Sequence, residues 1–178
     1  MSRRYAVAGR VVAVTGGGRG IGERIAVHLA AAGARVAVGD VDEAAAARVV
    51  AALGDGHVGL PLDVTSATSF GAFLEMVGTA LGPVDVLVNN AGVMWVGPFA
   101  EEPEVSLRRQ LEVNLLGVMH GVRLAAPAMT ARGSGHIVTI ASAASLLALP
   151  GEASYAATKH GVLGYLKAVR EELLGTGV

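Results

Sequence analysis

Apolar runs alternate with amphipathic stretches along most of the chain. Val11-Val12-Ala13-Val14 is a continuous apolar run inside Arg10–Thr15, the pattern of a strand buried on both faces. Glu23–Ala32 follows, with Ile25, Ala26 and Leu29 on one helical face and Gly33 as a stop. The alternation then repeats. Strands are expected at Arg35–Gly39, Val58–Leu62, Val84–Val88 and His136–Ile140. Helices are expected at Glu43–Leu53, Ser66–Leu81, Pro103–Met129 and Ala153–Leu174. Asp42 is placed to cap the first of these helices, while Gly82-Pro83 and Gly175 end the second and the last.

This order predicts an α/β fold: a doubly wound parallel sheet with helices on both faces, in one domain over residues 1–178. Right-handed crossovers bring the carboxyl ends of the strands to one edge, where such sheets bind ligands. Thr15, Asp40, Asp63, Asn90 and Ser142 fall at or just past predicted strand ends. Five segments therefore point at one crevice.

Composition narrows the chemistry. Apolar residues make up 52% and aromatics only 4%, so the core is built of Val, Ala and Leu. The net charge of −1 gives no electrostatic case for nucleic acid or a membrane surface. Without cysteine there is no disulfide, thiolate nucleophile or sulfur metal site. The five histidines, His28, His57, His120, His136 and His160, lack metal-ligand spacing, and no metal is expected. Met1-Ser2-Arg3-Arg4 is basic, but Arg10 interrupts the apolar run after it, against a signal peptide. No stretch is long and apolar enough for a membrane helix, so a soluble, cytoplasmic protein is expected.

Two constellations carry chemistry. Gly16-Gly17-Gly18-Arg19-Gly20-Ile21-Gly22 lies between a strand and a helix, where glycines let backbone N–H groups approach a pyrophosphate. Asp40, at the end of the next strand, is placed to accept the hydroxyls of an adenosine ribose and to repel a 2′-phosphate. That favours NAD over NADP. Arg19 pulls the other way if it meets that phosphate, and is otherwise a solvated side chain. The second constellation is Tyr155 and Lys159, one helical turn apart. A cation there favours the phenolate of a group whose reference pKa is about 10, giving a proton donor and acceptor usable near neutral pH.

Taken together, the chain resembles the short-chain dehydrogenase/reductase family, and its domain the Rossmann type. The matching motifs are Thr15-Gly16-x-x-x-Gly20-Ile21-Gly22, Asp63-Val64, Asn89-Asn90-Ala91-Gly92, Asn114, Ser142 and Tyr155-x-x-x-Lys159. The resemblance implies a cofactor site of Thr15, Gly16, Gly18, Arg19, Gly20, Ile21, Gly22, Asp40, Asp63, Val64, Asn90, Ala91, Gly92, Tyr155 and Lys159. It implies a catalytic set of Asn114, Ser142, Tyr155 and Lys159. In it Asp63 would accept from the adenine amino group, and Asn90 would steady the central strands. Asn114 would form a kink holding a water that relays protons from Lys159, or else be a core asparagine bonded to backbone. Ser142 would donate to the reacting oxygen, with Ser145 nearby at a different spacing. The reaction implied is hydride transfer between a nicotinamide cofactor and a secondary alcohol or ketone.

In the family a sixth strand, a substrate lid and a seventh strand follow the tyrosine helix. The full protein is therefore expected to continue past Val178, leaving the fifth strand at a sheet edge here. The alternative is a truncated chain that serves as a non-catalytic dinucleotide-binding or interaction module. Val93, Met94, Trp95 and Phe99, with Leu146, Leu147, Leu149 and Pro150, predict an apolar substrate wall. Leu107, Leu111, Val118 and Val122 on one helix, and Val162, Leu166 and Val169 on another, predict apolar stripes for a homodimer or homotetramer.

Overall fold

The structure is a computed structural model and describes residues 5–178; Met1–Arg4, with the charges that bear on a signal peptide, lie outside the described residues. Five parallel strands form one sheet: β1 (Val11–Thr15), β2 (Arg35–Asp40), β3 (Val58–Pro61), β4 (Val86–Asn89) and β5 (His136–Thr139). Their order is β3-β2-β1-β4-β5. The chain moves outward from β1 in one direction, then crosses back to β4, so the switch point lies between β1 and β4. The helices are α1 (Gly20–Ala31), α2 (Glu43–Leu53), α3 (Ala67–Leu81), α4 (Glu104–Gln110), α5 (Gly117–Ala131) and α6 (Ala153–Glu172).

Each central strand buries both faces, as its unbroken apolar run requires. Val11, Ala13, Ala37 and Leu87 pack with Phe70, Phe73, Val77 and Met129 of α3 and α5. Val12, Val14, Val36, Val38 and Val88 pack on the other face with Ala26, Ala46 and Val49 of α1 and α2. Phe70 and Phe73 meet edge to face, 6.3 Å between centroids. Truncating either to Ala should cost about 3–5 kcal/mol. α2 and α3 start where the sequence placed their caps: Asp42 accepts from Ala45 N–H at 3.0 Å and Ser66 from Ser69 N–H at 3.2 Å.

Most predicted bounds hold within one to three residues, but two expectations need correction. The helix expected over Pro103–Met129 is not one α-helix. A π-helical segment, Leu111–Leu116, joins α4 to α5, and Asn114 sits in it. The predicted apolar stripes are also partly internal. Val118, Val122 and Val162 pack against one another between α5 and α6, with Ile137, Leu166 and Val169 beside them. Val105, Leu111, Leu116 and Leu124 remain exposed along α4, the π-helical segment and α5. β5 pairs only with β4 and stands at the sheet edge among the described residues. No helix among the described residues is long and apolar enough to cross a membrane.

Candidate active site

The glycine loop is pinned from three sides. Gly16 has φ +62°, and a Cβ there would come within 2.7 Å of the Ala91 Cα. A Cβ on Gly22 would meet the Gly16 carbonyl oxygen at 2.2 Å, so only glycine lets α1 start this close to β1. Asn90 holds the loop from β4: its Nδ2 donates to the Thr15 and Gly16 carbonyls, both at 3.0 Å. In return Thr15 Oγ1 accepts from the Asn90 and Ala91 N–H groups at 3.0 and 3.1 Å. The loop is thus tied across the switch point before any ligand arrives.

Asp40 closes the third side. It is buried at the end of β2, where Oδ2 accepts from Gly18 N–H at 2.9 Å and Oδ1 from Asp42 N–H at 3.1 Å. Each oxygen accepts one bond and keeps further acceptor capacity. Arg48 of α2 donates to the Gly18 carbonyl at 2.9 Å, fixing the other edge of that peptide. α1 opens at Arg19 with no side-chain cap on its first N–H groups. An uncapped helix N-terminus carries partial positive charge and unsatisfied donors, and so accepts an anion.

These elements border a cleft of about 980 Å³. Gly16, Arg19, Ile21, Gly22, Asp40, Asp63, Val64, Asn90, Ala91 and Gly92 line it, as the sequence led us to expect. Thr15, Gly18 and Gly20 do not line it: Thr15 is a buried brace and Gly18 is bonded to Asp40 and Arg48. Asp63 faces the cleft while its Oδ1 accepts from Thr65 N–H and Oγ1, at 2.9 and 2.7 Å. Sequence reasoning did not anticipate the opposite wall, where Arg108, Arg109 and Val113 from α4 and the π-helical segment face the cleft.

Beyond this cleft, the second constellation assembles around α6. Lys159 is only 5% exposed, and its Nζ donates to the Ile140 carbonyl at 2.9 Å, just past β5. The same Nζ lies 5.7 Å from the centroid of the half-buried Tyr155 ring. Among the described residues it has no carboxylate partner. Burial alone pushes its pKa down. A buried cation without a counter-charge is costly to the fold. Ser142 lies past β5 and caps the short turn Ala143–Ser145. Its Oγ accepts from Ala144 N–H at 3.1 Å, which leaves the hydroxyl proton free to donate. Ser145 completes a capping box by accepting from Ser142 N–H at 3.3 Å, so it positions Ser142.

Asn114 is fully buried. Its Oδ1 accepts from Val93 N–H at 2.8 Å, and Nδ2 donates to the Val93 carbonyl at 2.8 Å and to Thr158 Oγ1 at 3.2 Å. Thr158 in turn donates to the Tyr155 carbonyl at 2.7 Å. Asn114 therefore bonds backbone, as one sequence alternative had it, and also joins the loop after β4 to the turn of α6 that carries Tyr155. No histidine lines the cleft: His160, next to Lys159, bonds the Ala156 carbonyl at 2.9 Å, and His120 bonds the Val64 carbonyl at 3.0 Å.

Residues 10–178 match the family model of short chain dehydrogenases, and the chain belongs to that family of oxidoreductases. It is 36% identical over 173 residues to the ketoacyl reductase HetN of a Nostoc species, covering 96% of this chain and 60% of the relative. It is 37% identical over 176 residues to a Sphingomonas 2-dehydro-3-deoxy-L-rhamnonate dehydrogenase (NAD(+)), covering 98% of this chain and 70% of the relative. The crystal structure of a short chain dehydrogenase/reductase from Burkholderia phymatum in complex with NAD superposes with a TM-score of 0.92 at 35% identity. That match covers 97% of this chain and 63% of the other. The chain thus spans about 60–70% of the length of these relatives.

Proposed function

We propose that this protein is an oxidoreductase that interconverts a secondary alcohol and a ketone, with NAD preferred over NADP. When bound, the nicotinamide cofactor supplies the hydride acceptor or donor. The chain's own residues do the rest. The uncapped start of α1 and the glycine loop receive the pyrophosphate. Asp40 accepts the ribose hydroxyls with its remaining lone pairs and repels a 2′-phosphate. Tyr155 takes the hydroxyl proton in oxidation and returns it in reduction. Lys159 places its ammonium beside the Tyr155 ring, and Ser142 donates to the substrate oxygen where charge develops.

The observation that carries this reading is Lys159, a buried cation with no carboxylate partner among the described residues, set beside Tyr155. Met94, Val96, Phe99, Leu146 and Leu147 are all exposed. Gly97 N–H donates to the Gly151 carbonyl at 2.9 Å, which draws the two loops carrying them together. They offer an apolar wall without charge, suited to a cyclic or long-chain alcohol rather than a small acid. Titration of both dinucleotides should show tighter binding of NAD, and Asp40→Ala should shrink the difference. A panel of secondary alcohols should outperform short hydroxy acids in kcat/KM. Equal affinity for NAD and NADP, or higher kcat/KM for the hydroxy acids, would reject the corresponding half of the proposal.

A further inference from the structure

Glu102 lies between the short turn at Phe99–Glu101 and α4, half-buried. One of its carboxylate oxygens accepts from Gln110 Nε2 and the other from Ser154 Oγ. Among the described residues no cation is paired with it. Gln110 is only 1% exposed, and its Oε1 accepts from Trp95 N–H at 3.3 Å. The polarity of this chain of bonds is fixed at its start. A backbone N–H can only donate, so Gln110 must turn its oxygen to Trp95 and its NH₂ to residue 102. Residue 102 must then accept on the Gln110 side, while on the other side the Ser154 hydroxyl donates to the carboxylate.

Both ends of the chain of bonds matter. Trp95 belongs to the apolar loop after β4, and Ser154 sits in the first turn of α6, directly before Tyr155. We propose that Glu102 is a positioning residue: acting through Ser154, it fixes the turn that carries Tyr155 and locks it to the loop beside the substrate. The proposal rests on Tyr155 being the acid/base of the reaction. Glu102 itself does not line the cleft, and its side-chain hydrogen bonds go to Gln110 and Ser154.

The test is steady-state kinetics with a secondary alcohol, together with NAD binding, on four variants of the purified protein. Glu102→Ala removes both acceptors. It should lower kcat about tenfold, because small misplacements of a reacting group are costly, while the NAD Kd stays within about twofold. Glu102→Gln can still accept from Gln110 and donate to the Ser154 hydroxyl, and should keep kcat within about threefold of the parent. Ser154→Ala removes a single hydroxyl and should lower kcat about threefold with Tm unchanged. Unchanged kcat in Glu102→Ala and Ser154→Ala would overturn the proposal. So would a parallel fall in kcat, NAD affinity and Tm that Glu102→Gln does not reverse. Tyr155→Phe is run beside them: if it remains active, the acid/base reading itself fails, whereas an inactive Tyr155→Phe with unaffected Glu102→Ala removes the positioning role alone.

Discussion

Asn114→Ala tests whether the site is braced as its hydrogen bonds indicate. The substitution deletes three bonds, and leaves the Val93 N–H, the Val93 carbonyl and Thr158 Oγ1 each short of a partner. Asn114 is fully buried, so water does not easily replace it. A backbone group left unpaired costs about 1–3 kcal/mol when buried. Val93 is only half-buried, so the low end applies to it, and the total comes to about 3–4 kcal/mol. At about 2–4 °C per kcal/mol for a chain of this size, Tm should fall by about 10 °C. Asn114→Asp should do no better. Its second oxygen would face the Val93 carbonyl where Nδ2 now donates at 2.8 Å. Thermal melts of the purified protein without cofactor measure this directly. A Tm change under about 3 °C for both variants, with turnover lost, would refute the bracing argument and leave the side chain a proton-relay role instead.

Two further predictions follow from burial. Lys159 has a folded-state pKa below its ordinary value of 10.5, so in the window between the two the unfolded chain binds more protons. Stability relative to Lys159→Met should therefore rise with pH as it approaches 10.5, and urea melts across the alkaline range that show no such rise would count against an uncompensated buried charge. Val105, Leu111, Leu116 and Leu124 leave apolar surface along α4, the π-helical segment and α5, and we expect a homodimer or homotetramer; a monomer by light scattering at micromolar concentration would exclude it.

Much of this architecture was legible along the chain because it is written in local periodicity. The run Val11–Val14 marks a strand buried on both faces, and Asp42 and Ser66 mark helix starts. The convergence of Asp40, Asp63 and Asn90 on one cleft follows from parallel topology alone. What escaped is what periodicity does not encode. The π-helical turn at Leu111–Leu116 leaves no pattern except an asparagine in an unfavourable place. Glu102 meets Ser154 across 52 positions, and Asn114 meets Thr158 across 44, so neither pair is visible to a local window. Gln110, four residues before Asn114, was a hint of a polar network. The stripe through Val118, Val122 and Val162 was apolar as expected, but periodicity does not say what covers a face, and here α5 and α6 cover each other.

The central claim is that Tyr155 moves the proton while the cleft holds the dinucleotide. The most direct measurement compares parent protein with Tyr155→Phe, following NADH absorbance on mixing with NAD and a secondary alcohol, alongside a fluorescence titration of NAD. The account predicts a rate loss of about 10²–10⁴-fold with NAD affinity within about threefold of the parent. A variant that keeps more than about a tenth of the parent rate, a barrier change under 1.4 kcal/mol, would contradict it.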